Sequence, residues 1–158
     1  MCPTGRHAKG QTMRFIPLLL LLCGILVPAS SGWADGKQHR LVIHVDSPDA
    51  DIMNEALHNA ANIIETERKA HDTAKIEIVA NGYGVKMLLS ELSPVAGEIG
   101  RVHTAYPGIV FSACGISLAH IEKAMKRSLT VLPEARVVPS GAARIMELEE
   151  QGWAYLKP

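Results

Sequence analysis

Residues 109–118, IVFSACGISL, combine a strand and the start of a helix within a chain of 158 residues. Four of the first five are apolar and two of these are β-branched, which is typical of a strand buried on both faces. Gly115 ends this strand, and Ser117 is a candidate N-cap for the helix that the apolar spacing of 118–128 predicts. The segment therefore predicts a strand that passes almost directly into a helix, with Cys114 at the junction.

Strands and helices alternate on both sides of this segment. Further strands are predicted at 41–45, 75–80, 136–138 and 153–156. Helices are predicted at about 49–69, 94–103 and 142–151, with a short helical turn at 85–89. Parallel strands need crossover connections of this kind. The alternation predicts an α/β fold, a three-layer α/β/α domain with a mostly parallel sheet of about five strands.

The first 34 residues have the three-part pattern of a secretory signal peptide. Three basic residues and no acid precede an apolar run at 15–27, FIPLLLLLCGILV, which small residues follow. The run is shorter than the roughly 20 residues of a membrane-spanning helix. We therefore expect a cleaved signal peptide at 1–34 rather than a membrane anchor.

The cleavage site and the start of translation each have two candidate positions. Cleavage after Ala34 leaves small residues at both recognition positions, and cleavage after Ala29 is the alternative. Translation from Met1 and translation from Met13 both fit the pattern. In each case we expect one α/β domain at 35–158, exported to the periplasm, with no membrane span in its mature form.

Removal of the signal peptide changes both the charge and the cysteine count. The chain has 16 basic and 16 acidic residues, and the predicted signal removes three of the former and none of the latter. The mature domain is then mildly acidic, which gives no electrostatic reason to bind nucleic acid. Cys2 and Cys23 leave with the signal, so Cys114 remains and no disulfide forms within the mature chain.

Cys114 is the leading candidate for a catalytic residue. In parallel α/β sheets, ligands gather at the carboxyl ends of the strands. Cys114 follows one predicted strand and precedes a helix, whose N terminus favours the reactive thiolate. The alternative is a structural cysteine that ends a hydrophobic strand, because cysteine is among the most frequently buried residue types.

Weaker ligand-binding candidates are predicted at the same edge of the sheet. They are His44, Asn81, Gly82, Tyr83, Gly84 and Gly115. The two glycines of NGYG (81–84) would let an anion approach the backbone. The alternative is a plain turn, since no dinucleotide-binding fingerprint surrounds them. The aspartates after the first strand are explained as helix caps, so we predict no metal and no cofactor.

Polar residues on the later helices are interpreted as solvated groups. We expect His103 and His120 to be exposed rather than proton-transfer partners of the cysteine. The acidic stretch that begins at Glu147 is expected to be a solvated helix face, with Arg144 forming an exposed ion pair three residues away.

Four segments resemble the DsrE/DsrF-like family, whose members have a YchN-like α/β fold. The resemblance covers LVIHVDSPDADIMNEALHNAANI (41–63), IEIVANGYGVKMLL (76–89), VFSACGISL (110–118) and VVPSGAARIMELEEQGWAYLKP (137–158). It implies five parallel strands, a homo-oligomer of three or six subunits, and a persulfide carried on Cys114. With its predicted signal peptide, the chain resembles the exported branch of that family.

The function that follows from this resemblance is sulfur transfer. We expect a periplasmic sulfur carrier or thiol-exchange protein that acts through Cys114, without a classical turnover reaction. Its expected partner is a sulfur donor or acceptor protein. The alternative is a non-catalytic oligomeric module that binds a small ligand and contains a structural cysteine.

Overall fold

The computed structural model describes residues 36–158, which contain five strands and four α-helices. The strands are β1 (Gln38–Val45), β2 (Thr73–Ala80), β3 (Val110–Cys114), β4 (Ala135–Val138) and β5 (Ala154–Leu156). The helices are α1 (Ala50–Lys69), α2 (Ala96–Ala105), α3 (Gly115–Met125) and α4 (Gly141–Glu150), and a 3₁₀ segment spans Gly82–Leu88. The predicted signal peptide and its cleavage positions lie outside the described residues.

All neighbouring strands in the sheet are parallel, in the order β4-β3-β2-β1-β5. β1 to β4 follow one another across the sheet, and the chain then returns to place β5 on the far side of β1. Because crossovers between parallel strands are right-handed, this reversal places α4 on the opposite face from the other helices. None of the helices at 36–158 combines the length and the apolar character that a membrane span requires.

Two hydrophobic clusters confirm the three-layer arrangement. Successive side chains of a strand point to opposite faces. Ile43, Ile78 and Phe111 therefore belong to the larger cluster, which α1, α2 and α3 cover. Val42 and Val79 belong to the smaller cluster, with residues of α4. The predicted α/β/α fold is thus confirmed, with an all-parallel sheet of five strands.

β1 extends further toward its N terminus than the sequence indicates. The predicted strand begins at Leu41, whereas the observed strand begins at Gln38, which lies opposite Thr73 of β2. The added residues are polar and lack the apolar signal of a buried strand. Backbone pairing with β2 extends the strand here, independently of hydrophobic burial.

α3 ends on a residue with strained backbone geometry, which leads to a stability prediction. Lys126 has φ 53°, and its N–H donates to the carbonyl groups of Glu122 and Lys123. Glycine is favoured in this left-handed conformation. We expect Lys126→Gly to raise the free energy of unfolding by about 1 kcal/mol in urea denaturation. Lys123→Gly, inside the same helix, is expected to lower it by about 1 kcal/mol; equal effects of the two changes would contradict this account.

Candidate functional site

Cys114 lies where four strands end, at the base of an open cleft. It is the last residue of β3 and the N-cap of α3, it forms no disulfide within residues 36–158, and it is 4% exposed. The cleft has a volume of about 520 Å³ and is lined by Asp46, Asn81, Gly82, Tyr83, Cys114, Ile116, Ser117, Ser140 and Ala142. The structure therefore brings the predicted cysteine together with Asn81, Gly82 and Tyr83.

The thiol of Cys114 is surrounded by hydrogen-bond donors. Burial raises the pKa of the thiol, but the hydroxyl of Ser117 and the backbone N–H groups of Gly141, Ser117 and Ile116 lower it. The net result is a pKa below the ordinary value for cysteine. Donors that face a sulfur stabilise its anion more than its neutral form. The site therefore favours the thiolate.

Three of these donors belong to the N termini of two helices. Ile116 and Ser117 lie in the first turn of α3, and Gly141 is the first residue of α4. The first N–H groups of a helix have no partner within it, and the helix dipole places positive potential there. The sequence predicted the contribution of α3. It did not predict that of α4, since strand order, which brings β4 beside β3, was not part of the prediction.

Gly141 allows α4 to approach the cysteine closely. A Cβ atom at this position would lie 2.9 Å from Cβ of Asn81 and 3.1 Å from Cβ of Cys114. A larger residue would push the helix N terminus away from the sulfur. The glycine therefore positions its own N–H group at the thiol.

Ser117 connects the thiol to the 3₁₀ segment. The prediction that this residue is the N-cap of α3 is wrong, because the helix begins directly at Gly115 and Cys114 occupies the cap position. Instead, the N–H of Gly82 donates to Oγ of Ser117 at 2.8 Å. A hydroxyl has one hydrogen to donate and accepts through its lone pairs. The bond from Gly82 therefore leaves the hydroxyl hydrogen available to the sulfur.

The NGYG segment forms part of the 3₁₀ segment rather than a plain turn. Three of its four backbone N–H groups are used within the protein: Asn81 donates to the carbonyl of Val45, Gly84 to that of Asp46, each at 3.0 Å, and Gly82 to Ser117. They are therefore not free to bind an anion. A Cβ atom at Gly84 would lie 2.3 Å from the carbonyl oxygen of Val45, so this glycine permits close packing on β1.

The rim of the cleft is formed by exposed apolar side chains. Tyr83 is 59% exposed and Ile116 is 65% exposed. Lys86 Nζ lies 5.3 Å from the centre of the Tyr83 ring. Gly115, the remaining candidate glycine, packs closely on the end of β4, because an added Cβ would lie 3.2 Å from the carbonyl oxygen of Val138. The rim is therefore accessible, while the base of the cleft is tightly packed.

His44 acts on the cleft indirectly, through Asn81. His44 Nε2 lies 2.9 Å from Oδ1 of Asn81, and its Nδ1 lies 2.7 Å from the hydroxyl of Tyr155. Because an amide oxygen only accepts, Nε2 donates to Asn81, and in the neutral ring Nδ1 then accepts from the tyrosine hydroxyl. His44 is thus a positioning residue for Asn81.

Asp46 and Lys157 form an ion pair at the edge of the cleft. Lys157 Nζ lies 2.6 Å from Oδ2 of Asp46. The hydrogen bond from Lys157 holds the pKa of this carboxyl below its ordinary value, against a smaller effect of burial. Both side chains are solvent-exposed, so the pair contributes little to stability.

The two predicted exposed histidines differ in their surroundings. His120 is exposed, as expected, and lines a depression of about 260 Å³ beside Tyr83 and Ile116. The prediction for His103 is wrong: its Nδ1 is buried and has no hydrogen-bond partner within the part of the chain that the structure describes. The ring lies 6.5 Å from that of Phe111, because α2 packs its side chains against β3.

A buried carboxylate in β2 was missed by the sequence analysis. Glu77 is 2% exposed, and Arg144 binds both of its oxygens, with Nε 2.9 Å from Oε1 and Nη2 2.8 Å from Oε2. Ser112 and Arg136 donate to Oε1 at 2.7 and 3.1 Å. Burial raises the pKa of Glu77, but the hydrogen bonds from Arg144, Ser112 and Arg136 together lower the pKa by a larger amount. The carboxylate therefore stays charged.

This network corrects the interpretation of Arg144. The expected pair with Glu147 is present at 3.2 Å, but Arg144 is only 24% exposed and its stronger contact is the two-bond pair with Glu77. The available sequence signal was a single acid within the apolar strand KIEIVA. An acid there predicts a buried charge that needs a cationic partner.

A solved structure is similar to most of this chain. This is MTH1491, a protein of unknown function from Methanobacterium thermoautotrophicum, which is 27% identical. The two superpose with a TM-score of 0.63 over 76% of this chain and 99% of the other. No protein-family model and no curated protein matches the chain. The similarity supports the α/β/α fold and assigns no activity.

Proposed function

We propose that this protein carries sulfane sulfur as a persulfide on Cys114 and passes it to an acceptor thiol. The observation that carries the proposal is the set of donors at the sulfur, which lowers the pKa of the thiol although it is buried. The thiolate is the nucleophilic form of cysteine. The resemblance of the strand–cysteine–helix segment to the DsrE/DsrF-like family favours a persulfide as the product.

The transfer is a thiol exchange at a sulfane sulfur. The Cys114 thiolate attacks the outer sulfur of a donor persulfide, R–S–SH. A bond forms between Sγ and that sulfur, the bond between the two donor sulfurs breaks, and its electron pair leaves on the donor as R–S⁻. The product is Cys114–S–SH. Delivery repeats the step with an acceptor thiolate attacking the outer sulfur, so no external oxidant or reductant is needed.

The cleft offers space for the added sulfur atom and access for a partner. Cys114 lies at its base, while Tyr83 and Ile116 are exposed on its rim. A donor or acceptor that contacts this rim brings its own sulfur toward Cys114. We further propose that the protein works in the periplasm as a homo-oligomer of three or six subunits, on the basis of the N-terminal sequence pattern and the family resemblance.

A second candidate function is a ligand-binding module in which Cys114 is structural. The burial of this residue, which is 4% exposed, favours that alternative. Alkylation of the native protein with a maleimide separates the two. Sulfur transfer requires Cys114 to react in the folded protein, whereas a structural cysteine reacts only after unfolding.

Sulfur loading tests the proposal directly. The protein is incubated with an inorganic polysulfide, freed of excess reagent, and examined by intact mass spectrometry and peptide mapping. We expect an added mass of about 32 Da per sulfur on the peptide that contains Cys114. Cys114→Ser is the control. Absence of the adduct, or an equal adduct in the serine variant, would refute the proposal.

A further inference from the structure

A group of metal-ligating side chains lies at the amino ends of β1 and β2, at the opposite end of the strands from Cys114. His39 Nε2 lies 3.2 Å from Oε2 of Glu67 and 3.7 Å from Oδ2 of Asp72. One ligand atom from each residue lies within 4.8 Å of the other two. The three side chains are partly buried, with exposed fractions of 36%, 23% and 25%.

The backbone fixes the positions of these residues. His39 is in β1, where it lies opposite Ala74 of β2. The N–H of Asp72 donates to the carbonyl of Glu67 at 2.8 Å, which holds the turn after α1 against its last residues. The N–H of Lys37 donates to Oδ1 of Asp72 at 2.6 Å, so Oδ2 is left to face the imidazole. Three separate elements therefore converge on one point.

The charge at this point is not balanced by a basic side chain. Within residues 36–158, neither Glu67 nor Asp72 has a lysine or arginine within ion-pair distance, and His39 is their shared neighbour. Glu67 also lies near the C terminus of α1, where the helix dipole adds negative potential; of the two basic residues in that turn, Arg68 and Lys69, the first pairs with Glu65. Two carboxylates and a helix C terminus thus create a local preference for a cation.

We propose that His39, Glu67 and Asp72 bind a divalent transition-metal ion of the zinc type. Imidazole nitrogen together with carboxylate oxygen suits zinc better than magnesium or calcium, which prefer oxygen ligands. Zinc bonds of about 2.0–2.1 Å in a tetrahedron separate neighbouring ligand atoms by about 3.3 Å. The observed 3.2 Å and 3.7 Å separations are close to this value. A water molecule completes the four ligands.

Zinc binding by the full-length chain tests the proposal. The parent for the test has Cys2, Cys23 and Cys114 all replaced by serine, because a thiolate is itself a zinc ligand. Bound zinc is counted by titration against a chromophoric chelator. We expect His39→Gln and Glu67→Gln each to bind one zinc ion fewer than the parent. His58→Gln, which removes an exposed histidine of α1, is the matched control and is expected to bind as many ions as the parent.

A thermal measurement provides an independent readout. A ligand that binds the native state stabilises that state. Zinc is therefore expected to raise the melting temperature of the parent and of His58→Gln. We expect a much smaller rise for His39→Gln and Glu67→Gln. Circular dichroism verifies that each variant is folded. Two ligand variants are used so that the test remains valid if one of them does not fold. Equal zinc stoichiometry in the parent and in both ligand variants would overturn the proposal.

Discussion

Replacement of Ser117 by alanine is expected to lower the rate of sulfur loading on Cys114 about tenfold at pH 7. The hydroxyl of Ser117 is the strongest of the groups that lower the pKa of the thiol. A hydrogen bond to a charged group contributes about 1.5 kcal/mol or more. Its loss raises the pKa of the thiol, and a free-energy change of about 1.4 kcal/mol corresponds to a tenfold smaller thiolate fraction. The measurement is the pH dependence of loading, followed by mass spectrometry.

Ser140→Ala is the matched control for this prediction. Ser140 also lines the cleft, and its Oγ accepts from the N–H of Ala143 as the N-cap of α4, but it is not among the donors that act on the thiol. We expect this change to cost about 1 kcal/mol of stability and to shift the pH profile less than Ser117→Ala does, because it removes no donor at the sulfur. Identical profiles for Ser117→Ala and the wild type would show that the hydroxyl does not stabilise the thiolate.

Replacement of Glu77 by glutamine is expected to lower the free energy of unfolding by about 3 kcal/mol. The carboxylate is buried, and the change leaves Arg144 without its two-bond anionic partner. Removing one member of a buried ion pair is costly because the other charge remains desolvated. Glu147→Gln, at the exposed carboxylate that also contacts Arg144, is the control and is expected to cost about 0.5 kcal/mol or less. Urea denaturation at pH 7 measures both, and equal losses would contradict the assignment.

The same pair predicts a dependence of stability on pH. The folded-state pKa of Glu77 is lowered, so the unfolded chain binds its proton at a higher pH than the folded chain does. The stability from this group is therefore present above pH 4.5, the ordinary value, and is lost as the pH falls through the lower folded pKa. We expect the unfolding free energy of Glu77→Gln to fall less steeply than that of the wild type below pH 4.5. Parallel curves would contradict the lowered pKa.

The sequence predicted the fold well because each layer leaves a local pattern. Apolar strands alternate with amphipathic helices, and this alternation forces parallel strands and crossover connections. The polar start of β1 at Gln38 was missed, since those residues join the sheet through backbone pairing with β2. The position of Cys114 at the end of β3 was also predicted, because a strand and a helix adjoin it directly.

The remaining features of the site depend on contacts between distant parts of the chain. Gly141 reaches Cys114 only because β4 lies beside β3, and neither residue indicates this by itself. Arg136 and Arg144 reach Glu77 across 59 and 67 residues of sequence. Local periodicity contains no information about pairs so far apart. The order of the strands places the N termini of both α3 and α4 at the thiol of Cys114.

The fold lowers the pKa of the Cys114 thiol below its ordinary value through donors at two helix N termini. The most direct measurement is the rate of iodoacetamide alkylation at Cys114 in the native protein as a function of pH, resolved by peptide mass spectrometry. We expect reaction in the folded state with a midpoint below 9.0, the ordinary pKa of a thiol. A midpoint at or above 9.0, or reaction only after unfolding, would contradict it.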